Sequence, residues 1–230
     1  MKNTLQQPAM NFYLLGENAA VMQSLLPVDP HCQRRIWAVA QALNDEALCI
    51  DVVPGMNNLT AVFDPDLQRG DEMIDRLKTL WALVEAEQFS PREIIIPVRY
   101  GGEDGPDLAV VAAHTGLSEE GVIAAHSQAK YLVYFLGFQP GFAYLGGLPA
   151  SLATPRRAEP RVAVPAGSVG IGGQQTGIYP SSSPGGWQII GRTDLRMFDV
   201  NRPTPSLLQS GDVVRFVPID VALQPGENHA

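Results

Sequence analysis

Fourteen of the 22 glycines in this 230-residue chain lie at or after Gly137, so the back part cannot carry long uninterrupted helices. Together with the 19 prolines they cut it into short apolar runs. These runs are Tyr131–Leu136, Val162–Pro165, Ser168–Ile171, Gly177–Tyr179, Trp187–Gly191, Arg196–Val200 and Val213–Pro218. Short strands at close spacing with turn residues between them point to a barrel or sandwich. Ser210-Gly211-Asp212 reads as the turn into the last strand, and the tail from Leu223 as frayed.

The front part reads differently. Asn11 to Leu15 is a short strand closed by Gly16. Asp29-Pro30 opens a helix, with Asp29 free to cap the exposed N–H groups and Pro30 placed where its missing N–H costs nothing. Ile36, Val39, Ala40 and Leu43 share one face of it, and Asn44-Asp45 ends it. Cys49–Val53 and Asn58–Phe63 are strand-like runs joined by a turn at Pro54-Gly55-Met56-Asn57. A second amphipathic helix from about Asp71 aligns Met73, Leu77, Leu80 and Val84, and Glu93–Tyr100 is another strand. Strand, helix, strand, strand, helix, strand is the ferredoxin-like order. Two short helices follow: Asp107–His114, closed by Gly116, and one capped by Ser118, with Val122, Ile123 and His126 on one face. The expected class is α+β. Residues 1–92 form a ferredoxin-like α/β domain, 93–222 a β-barrel domain and 223–230 a flexible tail.

Hydrophobic residues at 45% against 17% charged supply a core and exclude wholesale disorder. A net charge of −8 argues against a nucleic-acid partner. No apolar window is long enough for a membrane span, Met1 to Gln7 lacks a signal pattern, and Cys32 and Cys49 have no metal-ligand spacing. A cytoplasmic chain with no membrane association and no metal site of its own is expected. A phosphate cradle of the Walker type is absent. Gly170–Gln175 begins like a dinucleotide fingerprint but lacks its last glycine. Ala166–Gly170 resembles a nucleophile elbow only in part, because its first position is Ala.

Residues 130–202 reverse the overall charge. Seven basic groups (Lys130, Arg156, Arg157, Arg161, Arg192, Arg196, Arg202) face three acidic ones (Glu159, Asp194, Asp199), an excess of +4. Six of the seven are arginines, whose planar fork suits carboxylate or phosphate. The alternative is that they pair with acids of the same chain. Glycine, proline and hydrogen-bonding side chains interleave in three blocks, Gly137–Leu145, Pro155–Val169 and Gln175–Trp187. Such a stiff, small-residue surface suits a small polar ligand or an extended peptide.

The motifs Pro97-Val98-Arg99-Tyr100-Gly101-Gly102, Gly137-Phe138-Gln139-Pro140-Gly141-Phe142, Val164-Pro165-Ala166-Gly167-Ser168-Val169, Gly177-Ile178-Tyr179-Pro180, Ser183-Pro184-Gly185-Gly186-Trp187 and Ile190-Gly191-Arg192-Thr193 occur in this order, with His126 between the first two. The chain thereby resembles the allophanate hydrolase subunit 1 family from about Phe12 to Val217. That family includes a component of the bacterial ATP-dependent 5-oxoprolinase, which this chain resembles in length and layout.

The resemblance implies a cyclophilin-like barrel as the second domain. It also implies a hydrolase component that helps open the lactam ring of 5-oxoproline to glutamate and is inactive alone. The implied partners are two sister 5-oxoprolinase subunits: one of the allophanate hydrolase subunit 2 type (the C kind) and one of the A kind. ATP, with a divalent ion, would sit on or with a partner. Two other roles occur among relatives: inhibition of a sporulation histidine kinase, and a carboxyltransferase-type part in urea or allophanate metabolism.

For ring opening, Arg161 and Arg192 are the expected holders of the substrate carboxylate. Gln139, Gln175, Tyr179 and Ser183 are expected on the amide edge or the developing oxyanion. Trp187 is the expected apolar wall and His126 the expected general acid or base, unless its ring merely packs on the helix face beside Val122.

Overall fold

The computed structural model of the chain describes residues 9–27, 29–84 and 91–219. The chain divides into two compact units, Met1–Ser90 and Pro91–Ala230. The tail expected from Leu223 lies outside the described residues.

In the first unit, strands β1 (Met10–Leu14), β2 (Ala19–Ser24), β3 (Asp51–Gly55) and β4 (Asn58–Val62) form an antiparallel sheet in the order β1-β2-β4-β3. Helices α1 (Pro30–Glu46) and α2 (Gly70–Leu83) cover one face of it. Asp29 caps α1 by accepting a hydrogen bond from the Cys32 amide at 2.8 Å, and Pro30 takes the first helical position. The helix runs past Asn44-Asp45 to Glu46, where Ala47 turns left-handed. Ile36, Leu43, Met73 and Leu77 meet Met22, Leu59 and Phe63 in the core. The Arg35 guanidinium lies 3.9 Å over the Trp81 ring and donates to the Trp81 carbonyl, tying α1 to α2.

The expected ferredoxin-like order is thus realised in permuted form. β2, α1, β3, β4 and α2 follow it, but the edge strand beside β2 is the N-terminal β1 rather than a strand after α2. β2 escapes a reading by alternation because four of its six residues, Ala19 to Met22, are buried in succession. With that edge filled, Glu93–Tyr100 (β5) is free to join the second unit.

The second unit is a closed barrel of seven strands. They are β5, β6 (Tyr131–Leu136), β7 (Ala143–Gly146), β9 (Ser168–Gly172), β10 (Gln175–Ile178), β12 (Gln188–Arg192) and β13 (Val213–Pro218), ordered β10-β7-β6-β13-β5-β12-β9. β5 and β13 run parallel; the other neighbours are antiparallel. A separate two-stranded antiparallel sheet pairs β8 (Arg161–Val164) with β11 (Ser183–Gly185). Helix α3 (Leu108–Thr115) ends at Gly116, left-handed at φ 71°, and α4 (Glu119–Gln128) is capped by Ser118. They pack against β12 and β13 and share the barrel core with Val133, Leu145, Ile171 and Phe216. The α+β class with its barrel therefore holds.

Two barrel elements differ from expectation. Arg196–Val200 forms no strand beyond a single bridge at Phe198, because the Asp199 carboxylate accepts from the Asn201 amide and folds the segment into a turn. β7 is hidden in the sequence by its brevity between Gly141 and Gly147.

Gly167 marks the tightest corner. Its φ is 81°, and a Cβ there would stand 2.1 Å from the Thr193 carbonyl oxygen, which cannot move without disturbing β12. Gly167→Ala is expected to cost on the order of 1–3 kcal/mol, read as a melting temperature several degrees lower. An unchanged melting curve would contradict this account of the corner.

Candidate functional site

At one end of the barrel, five aromatic rings enclose a cleft of about 300 Å³. Phe142 sits at the centre of the group. Trp187 and Tyr179 stand edge-on to it at centroid distances of 5.8 Å each, Tyr144 at 5.2 Å and Phe138 at 5.4 Å. Glycines make room for these rings within the strands. A Cβ on Gly172 would lie 2.5 Å from the Trp187 indole, and one on Gly185 2.4 Å from the Tyr179 hydroxyl. Pro160, Pro184 and Gly186 complete the rim, and Arg156 brings the cation.

Phe138 is held there by a strained backbone. Its φ is 70°, and the Gln139 amide donates to the Gly137 carbonyl at 2.8 Å across it, a γ-turn that non-glycine residues seldom adopt. Two further backbone bonds, Phe142 to Gln139 and Gly137 to Phe142, lock the loop. The side chain is left 63% exposed at the mouth of the cleft.

One buried carboxylate anchors the segment that carries Arg156, Arg157 and β8. Asp107, only 3% exposed, accepts two bonds from Arg161 at 2.8 Å each, one from Arg157 at 3.0 Å and one from the Ile189 amide at 2.6 Å. Arg161 is on β8, opposite Gly185 of β11, and Arg157 donates its own amide to the Gly186 carbonyl. Asp107 thereby ties the β8–β11 pair to β12. The hydrogen bonds from Arg161 and Ile189 and the two positive charges outweigh burial and hold this carboxyl below the usual carboxylate range.

The structure separates the residues singled out from sequence. Tyr179 and Trp187 line the aromatic cleft. Burial raises the Tyr179 phenol above its ordinary value, against a hydrogen bond from the Trp187 amide and the positive charges of Arg156 and Arg161. Arg192 lines a second, more open cleft of about 690 Å³ beside Ser181, Ser182, Thr193 and Phe198, and its Nε donates to the Ala166 carbonyl at 3.2 Å. Gln139 connects to that second cleft, accepting from the Ser181 hydroxyl at 3.0 Å. Ser183 is buried on β11 and donates to the Pro184 carbonyl, and Gln175 lies on β10 outside both clefts.

Two of the expected residues are engaged within the fold. Arg161 does not offer its fork to a ligand, because both terminal nitrogens bind Asp107. His126 is not at either cleft. It is wholly buried, with Nδ1 2.8 Å from the Tyr100 hydroxyl and Nε2 2.9 Å from the Thr176 hydroxyl. Thr176 donates its one proton to the Gly170 carbonyl, so its oxygen accepts from Nε2–H and the Tyr100 hydroxyl donates to Nδ1. Burial pushes the imidazole down to about 3, so it stays neutral and acts as a bridge within the barrel.

Sequence reasoning missed Phe138, Tyr144, Arg156 and Asp107 as site residues. Aromatic residues interleaved with glycine over 137–145 were the available signal for the first two. Among the described residues no group of three or more His, Cys, Asp or Glu could hold a metal ion. The first cleft has one cation, and the acids lining the second, Asp194 and Asp199, pair with Arg99 and Arg196. No helix among the described residues is long and apolar enough to cross a membrane.

The family model for the carboxyltransferase domain, subdomain C and D, matches residues 10–208. The chain belongs to this family. The likeness to the allophanate hydrolase subunit 1 family, read from its motifs, is the same relationship. A family relative from Escherichia coli O157:H7, named as the B subunit of 5-oxoprolinase, is 55% identical over 206 residues, covering 90% of this chain and 94% of the relative. A protein of the same name from Bacillus subtilis is 39% identical over 218 residues, 89% and 91% of the two chains. Among solved structures, TTHA0988 matches with a TM-score of 0.77 and 38% identity over 90% of this chain, which spans only 40% of that longer one. The urea amidolyase of K. lactis shares the fold, with a TM-score of 0.75 at 19% identity over 95% of this chain and 15% of that chain.

The neutral buried His126 and the charged buried Asp107 leave different acid signatures. His126 has a folded value below its ordinary 6.5, so its contribution is complete above that pH and falls by about 1.4 kcal/mol per pH unit down to about 3. Asp107 adds a loss only below the ordinary carboxylate range, near about 3.9. Denaturant unfolding across pH should show His126→Gln flattening the slope between about pH 6 and pH 4. Asp107→Asn should lower stability at neutral pH by roughly 3–5 kcal/mol, leaving two arginines without their anion. Equal slopes in wild type and His126→Gln would show that the imidazole is not the buried titrating group.

Proposed function

We propose that this chain is one component of an ATP-dependent 5-oxoprolinase. With partner subunits it would open the five-membered lactam ring of 5-oxoproline, coupled to ATP hydrolysis, and release glutamate. The observation that carries this reading is the make-up of the aromatic cleft. Its rings suit a small cyclic ligand, and no histidine or carboxylate among the described residues lines it. A lactam is a poor electrophile, so its opening needs carbonyl activation and proton transfer. On this reading the cleft binds and excludes water, while the activating groups and ATP come from sister subunits of the A and C kinds. High identity over nearly the whole length of relatives named as the B subunit of 5-oxoprolinase supports it.

One observation favours a second reading, in which the same face docks on a protein without chemistry: the outward, exposed ring of Phe138. The carboxyltransferase-type role in urea or allophanate metabolism draws on the family model for the carboxyltransferase domain, to which the urea amidolyase at 19% identity adds a shared fold alone.

Glutamate release from 5-oxoproline and ATP should be absent with the chain alone and appear only when all three kinds of subunit are combined. Leaving this chain out should abolish turnover. Full turnover by the lone chain, or undiminished turnover without it, would refute the shared-site reading.

A further inference from the structure

Resting on that reading, we infer that Arg156 is the group that grips the substrate carboxylate, so that the aromatic cleft selects a small ring bearing an acid. Six arginines lie between positions 130 and 202. Five are engaged: Arg157 and Arg161 with Asp107, Arg192 with the Ala166 carbonyl, Arg196 with Asp199, and Arg202 with the Arg196 carbonyl. Arg156 alone among them has no hydrogen-bond or ion-pair partner among the described residues. It lines the cleft, and its charge is felt at the Tyr179 phenol.

The surroundings suit a carboxylate. Asp107 is already saturated by two guanidinium groups and an amide, and among the described residues no anion lines the cleft to compete for Arg156. Pro155 stiffens the backbone before it, and the Arg157 amide is bonded to the Gly186 carbonyl after it, so the arginine sits on a fixed segment beside solvent. A five-membered ring lying among Phe142, Tyr144, Tyr179 and Trp187 would present its acid to the rim, where a guanidinium donates two parallel hydrogen bonds. The cleft, at about 300 Å³, is at the small end of ligand sites, which disfavours larger acids.

The test uses the full chain assembled with its sister subunits. Arg156→Gln should raise KM for 5-oxoproline roughly ten- to hundred-fold, the loss expected for a charged hydrogen-bonded pair. Its kcat should stay within about threefold, because ground state and transition state both carry the carboxylate. Arg156→Lys, which keeps charge but not the fork, should recover part of the loss, and Arg156→Glu should be worse than Gln. Arg156 is exposed, so all three variants should melt like wild type. A KM for Arg156→Gln within about threefold of wild type, or a loss that falls on kcat alone, overturns the inference while leaving the proposed function intact. Activity that persists when the chain is omitted overturns the reading and the inference together.

Discussion

The carboxylate of Asp107 has left water almost completely and replaced it with two guanidinium groups and one backbone amide. Burying such a charge is costly unless its partners are well placed, and removing either side leaves the other stranded. The cleft wall depends on this arrangement because the three donors come from different places: the segment before β8, β8 itself and β12. The two-stranded β8–β11 sheet is not part of the closed barrel. Asp107 and a few backbone bonds fix it there, and with it the wall formed by Pro160, Pro184, Gly185 and Gly186.

Once that wall is fixed, the rest of the cleft follows from space. Glycines at 172, 177 and 185 take away the Cβ atoms that would collide with Trp187 and Tyr179. The rings then pack edge to face, rigid and without charge. Phe138 adds a ring at the mouth through a backbone conformation that costs energy and persists because its loop is bonded on both sides. What remains unneutralised is one arginine. An apolar pocket with a single free cation can bind and orient an acid.

Much of this was legible in the sequence where the physics is local. Asp29, Ser118 and Gly116 act at helix ends as their types and positions indicate, and the glycine-rich back half closes into short strands. Non-local pairing was not legible. Two of the six arginines over 130–202 are claimed by an acid outside that stretch: Arg157 and Arg161 both meet Asp107, the latter at a separation of 54 residues. The same blindness affected the first unit, where β1 takes an edge that the order of elements assigned to a later strand. His126 lies on the buried face of α4 as its spacing indicates, but only the folded barrel reveals Tyr100 and Thr176 on its two nitrogens. Tyr179 and Trp187 reached the cleft because large aromatic rings among glycines have few other places to pack.

Titration of the isotopically labelled chain with 5-oxoproline, followed by amide and indole shifts, addresses the central claim most directly. The account predicts saturable shifts confined to Phe138, Gly185, Gly186 and the Trp187 indole, and their disappearance at the same ligand concentrations in Arg156→Gln. Shifts centred instead on Ala166, Thr193 and Asn201 around Arg192, or shifts unaffected by losing Arg156, would contradict it.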